Sequence, residues 1–193
     1  LTIVGDERAR MSIPGHWKGS WKRAGGGALA DSGTHIIDLA HLWFGLPTAV
    51  QAHVARHVIE APDKADDTAA VILQYPCLTV SVVVEYGAAG QPWTETRSMW
   101  SESGAIHVCL GSAEPLAVWK DGETIPQHVE HDPEWGEWSV TRGLVHAVDA
   151  IAHDRPVAVT PADARAALHT IRGAYEAARR GRRVVLADYE GGH

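Results

Sequence analysis

The chain carries 193 residues, with 17 Lys and Arg against 24 Asp and Glu, a formal charge of −7. Apolar residues at 45% and charged residues at 21% describe a chain that folds around a core, and the acidic balance excludes a protein that reads nucleic-acid phosphates. No apolar run approaches the ~20 residues of a membrane helix. Two cysteines, Cys77 and Cys109, are too few for a disulfide framework or a cysteine metal site, so a reducing cytoplasm is the expected location.

The chain opens Leu1-Thr2-Ile3-Val4-Gly5, with neither an initiator Met nor a secretory signal, so this end reads as a cut end. A short strand there precedes a loop rich in Trp and Lys, His16-Trp17-Lys18-Gly19-Ser20-Trp21-Lys22, which runs into Gly25-Gly26-Gly27. Residues 28–44 have helical periodicity, stopped by Gly45 and Pro47. From Thr48 the period falls to two, with Val50, Ala52 and Val54 on one side and Gln51, His53 and Ala55 on the other. Runs at 68–75 and 78–86 flank Pro76-Cys77 and predict a hairpin. Alternation at 93–102 turns at Ser103-Gly104 into 105–110, and runs at 116–120 and 123–129 flank the hairpin signal Asp121-Gly122. Helices are predicted over about 137–153 and 161–180, the second opened by Thr160-Pro161-Ala162-Asp163, and a last strand over 183–187. This order predicts an α+β fold, an open, mainly antiparallel sheet with helices packed on one face. With no repeat, low-complexity tract or linker, residues 1–193 read as a single domain.

The helix over 28–44 carries the chemistry. At ~100° per residue, Leu29, Ile36, Ile37, Leu39, Ala40, Trp43 and Phe44 make one broad apolar side, while Asp31, Thr34, His35 and Asp38 gather on the other. Asp31 and His35 are four apart and His35 and Asp38 three apart, so the imidazole is expected between two carboxylates, which favour its proton-donating form. No Lys or Arg lies between Arg23 and Arg56, unlike an ordinary solvated face. The glycines ahead of the helix remove every Cβ, so a flat ligand could lie against the backbone there. They do not make a GxGxxG after a strand, and no dinucleotide fold is expected within the chain. His35, Asp38 and His41 are metal-ligand types, but three-residue steps drift ~60° apart, so no metal is expected.

Gly25-Gly26-Gly27-Ala28-Leu29-Ala30-Asp31-Ser32-Gly33-Thr34-His35-Ile36-Ile37-Asp38 resembles the GGGxLxDxGxHxxD signature of the Gfo/Idh/MocA oxidoreductases. Asp66-Asp67-Thr68-Ala69 resembles that family's DDTA strand start, and Ser101-Glu102-Ser103-Gly104-Ala105-Ile106 its GxxGxI strand turn. Val157 through Ala164, Tyr175 and Gly181 through Leu186 are similar to its closing helix and strand. The resemblance runs from about Trp17 to Leu186 and implies the C-terminal substrate domain, without the Rossmann domain that holds NAD or NADP and without the lysine motif that ends that domain.

It further implies that His35 is the catalytic histidine, Asp31 its partner aspartate and Asp38 a support from the next turn. Gly25, Gly26 and Gly27 would pass close to the nicotinamide, and Trp17, Lys18 and Lys22 would contact substrate. On that reading the chain is the substrate-binding, proton-transferring half of an NAD(P)-dependent oxidoreductase acting on a sugar, polyol or related secondary alcohol or ketone. Its partners would be that small molecule and, through the open sheet, further copies of itself. Trp93, Trp100, Trp119, Trp135 and Trp138 read as sheet packing or interface, and His128 and His131 as solvent-facing. The alternative is a non-catalytic binding or oligomerisation module derived from the same family.

Overall fold

The computed structural model describes residues 1–60, 65–110, 112, 114–127 and 135–189. Nine strands form one sheet: β1 (Thr2–Val4), β2 (Ala49–Ala55), β3 (Thr68–Gln74), β4 (Thr79–Glu85), β5 (Thr94–Ser101), β6 (Gly104–Leu110), β7 (Leu116–Lys120), β8 (Glu123–Ile125) and β9 (Val184–Val185). Their order is β8-β7-β6-β5-β1-β4-β3-β2-β9, and every described pairing of these strands is antiparallel except β1 with β4. Two hairpins sit where the sequence puts them. Pro76-Cys77 joins β3 to β4, with Val71 opposite Val82, and Asp121-Gly122 joins β7 to β8. Asp121 takes the left-handed conformation (φ 53°) that a tight hairpin turn requires. The predicted strand over 123–129 is described only as far as Ile125, and His128 and His131 lie outside the described residues.

The two principal helices are α3 (Ala28–Phe44) and α5 (Pro161–Arg180). They pack on each other; α3 lies over β1, β3 and β4, and α5 over β2 and β9. Leu29, Ile36, Ile37 and Ala40 face the sheet and are buried with Val71, Leu73, Val82 and Val84 from the same face of β3 and β4. Thr160 and Asp163 start α5 with a reciprocal capping box behind Pro161. Helix α4 (Trp135–Ala152) leaves Val140, Leu144, Val148 and Ile151 exposed, and no described helix packs broadly on β5–β8. The helices therefore cover one face of half the sheet.

Between β1 and α3 the chain makes α1 (Arg8–Met11), a 3-10 turn at Trp17–Gly19 and α2 (Trp21–Ala24). Ser20 caps α2 through Arg23 N, and Gly25, left-handed at φ 74°, ends it. These short turns bring the Trp17–Lys22 loop over the first turns of α3.

Candidate active site on the glycine-led helix

Helix α3 begins at Gly27, which has no side chain to cap it. The cap comes instead from Asp66, just before β3. Its carboxylate accepts from Gly27 N (2.7 Å) and Leu29 N (2.9 Å), its carbonyl from Ala28 N (2.8 Å), and the Tyr175 hydroxyl of α5 donates to the same carboxylate at 2.8 Å. Burial raises the Asp66 pKa, and its hydrogen bonds act in the opposite direction. Asp67 turns the other way and accepts from the N–H groups of His57, Val58 and Ile59. Those bonds outweigh the effect of burial and hold Asp67 below its ordinary value. The Asp-Asp pair is thus a joint between α3, α5 and the loop after β2.

This joint consumes most of the glycine triplet. A Cβ on Gly27 would stand 1.9 Å from the Asp66 carbonyl oxygen, and one on Gly26 2.1 Å from the Tyr175 hydroxyl. Gly26 and Gly27 are therefore filled by the protein itself, contrary to the flat-ligand reading of all three. Gly25 alone of the triplet faces open space. It borders a groove of about 1100 Å³ shared with Trp21, Ala30, Tyr175 and the α5 arginines Arg165, Arg172 and Arg179.

The acids beside His35 are also arranged differently from the expectation. Asp31 is in contact with Lys18, whose Nζ lies 2.6 Å from its Oδ2, and accepts from the Tyr86 hydroxyl at 2.6 Å. Because the phenol proton goes to Asp31, Ser32 donates to the phenol oxygen. His41, three residues beyond Asp38, has its pKa lowered by burial, with the charge of Asp38 acting in the opposite direction. His41 in turn meets Thr170 of α5 at 3.2 Å. No hydrogen bond or ion pair among the described residues involves His35, which stands exposed one turn beyond Asp31. The imidazole is not gripped by two carboxylates. Short side chains i,i+4 on a helix can meet, but here a lysine and a buried phenol outcompete it for Asp31.

Lys18 is the centre of this cluster. Its Nζ is also 3.8 Å from Glu7 and 5.7 and 5.8 Å from the rings of Trp17 and Tyr86. Trp17 is half exposed beside it, whereas Lys22 points into solvent from α2 and makes none of these contacts. Of the residues singled out from the sequence, the structure brings Trp17, Lys18, Asp31 and His35 to one surface. It leaves Lys22, Gly26 and Gly27 out, and no hydrogen bond or ion pair among the described residues joins Asp38 to His35. Tyr86 and Glu7 were missed. The alternation Val80, Val82, Val84 continues to Tyr86 and was a usable signal, while Glu7 has none. Among the described residues no three His, Cys, Asp or Glu side chains converge as metal ligands, and no helix is long and apolar enough to cross a membrane.

A family model described as the GFO/IDH/MocA C-terminal domain matches residues 3–105. No curated protein matches the sequence. Solved structures with the same fold include levoglucosan dehydrogenase in complex with NADH, at 21% identity and TM-score 0.81, which covers 96% of this chain and 57% of that one. An aldose-aldose oxidoreductase from Caulobacter crescentus complexed with glycerol gives 23% and 0.74, covering 95% and 55%. The WlbA dehydrogenase from Bordetella pertussis, in complex with NADH and UDP-GlcNAcA, gives 19% and 0.70, covering 96% and 54%. The chain spans little more than half the length of each.

Proposed function

Because the chain belongs to the GFO/IDH/MocA C-terminal domain family, we propose that it is the substrate-binding, proton-transferring half of an NAD(P)-dependent oxidoreductase acting on a sugar, polyol or similar secondary alcohol or ketone. The observation that carries this reading is the surface where exposed His35 stands one turn from Asp31, itself fixed by Lys18 and Tyr86. An imidazole with no hydrogen-bond partner among the described residues, at the edge of a hydrogen-bonded polar cluster, has its ring nitrogens available to a ligand. The relatives complexed with NADH, glycerol and UDP-GlcNAcA support the reaction class.

On this reading His35 exchanges the proton of the substrate oxygen, and Asp31 and Lys18 position that oxygen and its neighbours. A nicotinamide bound beside this surface would supply the hydride chemistry at the adjacent carbon. Gly25 is the one residue of the glycine triplet with room for a flat ring, at the edge of the 1100 Å³ groove. The half-covered sheet adds a second role, association with another copy of the chain. Trp100, 80% exposed, and Trp119 lie across Ala105 on one sheet face, an apolar patch on strands that no described helix covers.

The experiment is hydride transfer followed by nicotinamide absorbance, with the chain joined to or mixed with its cofactor-binding half. His35→Ala is expected to lower turnover by at least a hundredfold, with cofactor affinity little changed. Parallel losses of both, or no loss, would remove His35 from the chemistry.

A further inference from the structure

The proposed function leaves the substrate's charge open, and the residues around Lys18 bear on it. Three ionic side chains meet there: the Lys18 ammonium, Asp31 at 2.6 Å and Glu7 at 3.8 Å. Glu7 is largely covered, and its Oε2 is buried without a hydrogen-bond partner among the described residues. Its other cation is Arg10, at 3.3 Å and so closer than Lys18. Asp6 nearby is already neutralised by Arg8. Lys18 and Arg10 thus face Asp31 and Glu7, two charges of each sign, and the ammonium that a ligand would meet is already neutralised.

We infer that this cluster selects an uncharged polyhydroxy compound over a sugar acid or sugar phosphate, and that Glu7 is the residue that sets the selectivity. The inference rests on the reading that the Lys18–Asp31 surface receives substrate. An incoming carboxylate or phosphate would find Lys18 already paired, and would meet the charge of Asp31 across the same nitrogen and that of Glu7 behind it. A hydroxyl group both donates and accepts, and the pair offers both complements: ammonium N–H donors and carboxylate lone pairs. The half-exposed indole of Trp17 beside Lys18 supplies an apolar face on which the C–H side of a sugar ring can rest. Tyr86 borders the same cluster, and its phenol is pushed well above its ordinary value, first by burial and then by Asp31. Glu7 touches Lys18 rather than the ligand, so it is a positioning residue acting through that ammonium.

The test titrates the purified chain, observed by amide NMR at constant pH and ionic strength, with glucose, myo-inositol, gluconate, glucose 6-phosphate and glucosamine. The neutral probes are expected to perturb the amides of Trp17, Lys18, Asp31 and His35 and to bind at least tenfold more tightly than the two anions. Glu7→Gln is expected to bring the anions within about threefold of glucose, and Lys18→Met to weaken all of the probes. The inference is overturned by gluconate or glucose 6-phosphate binding as tightly as glucose to the unaltered chain, by glucosamine exceeding glucose tenfold, by an unchanged ratio in Glu7→Gln, or by no perturbation at that surface. Should Glu7→Gln fail to fold, the ratio in the unaltered chain decides. Oxidation of sugar acids by the joined enzyme would sink this selectivity and leave the proposed function standing. Selective binding of neutral probes without any hydride transfer would do the reverse.

Discussion

Asp66 and Asp67 are neighbours with opposite electrostatic fates, and the difference lies in what surrounds each carboxylate. Asp67 receives three backbone N–H groups and the Thr68 hydroxyl, and its pKa falls below the ordinary value; Asp66 also receives three donors, but burial prevails and its pKa rises. The consequences for stability have opposite signs. Asp67 contributes stability above the unfolded-state value near 3.8 that is lost as pH falls through its lower folded value. Asp66 binds its proton more tightly when folded, so its contribution declines as pH rises from the unfolded value toward the folded one. Asp67→Asn is therefore expected to cost about 2 kcal/mol near neutrality from lost charge-assisted hydrogen bonds. The gap from the unaltered chain should shrink below about pH 4. Urea denaturation at pH 3 to 7 measures this, and a pH-independent gap would contradict it. The sequence marks both residues as a motif, but not their separate tasks, because each acts on backbone far away in the chain or across a loop.

At the level of elements, local signals located what is local. The apolar stripe and Gly45 bound α3 at Ala28–Phe44, and Thr160, Pro161 and Asp163 start α5 where the structure has it. Strands β3 and β4 follow from alternation around Pro76-Cys77. The four-residue helices α1 and α2 are too short to generate a periodic pattern. Nothing local reveals that β1 inserts between β4 and β5, parallel to the first, since that pairing spans some 80 residues. The start of α3 shows the same limit. The glycines were legible as a break, yet the reason for them is Asp66 and Tyr175, distant in sequence. Alanine substitutions should therefore grade by what the new Cβ meets. Gly27→Ala collides with Asp66 backbone and should cost more than about 3 kcal/mol. Gly26→Ala meets the Tyr175 side chain, which can yield, and should cost about 2 kcal/mol. Gly25→Ala has space but holds φ 74°, and should cost about 1 kcal/mol. Equal small losses in chemical denaturation would show that the triplet is not packed as described.

For the whole molecule, the expectation of helices on one face of an open sheet holds for the half formed by β1, β4, β3, β2 and β9. Strands β5–β7 extend beyond it with largely intermediate burial, β8 is exposed, and α4 presents an exposed apolar row. Composition cannot reveal such uncovered surfaces, because the same valines and tryptophans would read identically in a core. If the Trp100–Trp119 face joins a second copy, the chain should sediment as a dimer at tens of micromolar, and Trp100→Lys should be monomeric with unchanged circular dichroism. A monomeric unaltered chain, or a variant that still dimerises, would contradict that role. The candidate site was legible in its residue types and not in its wiring. Asp31 was recognised, but Lys18 and Tyr86 hold it, leaving His35 free. That freedom is what the proposed chemistry requires, and imidazole rescue addresses it most directly. With the cofactor-binding half present, His35→Ala should lose about 10²- to 10⁴-fold in turnover. Added imidazole should restore a saturable part of the lost rate. Full activity without the histidine, or a loss that imidazole leaves untouched while cofactor binding falls in step, would contradict the account.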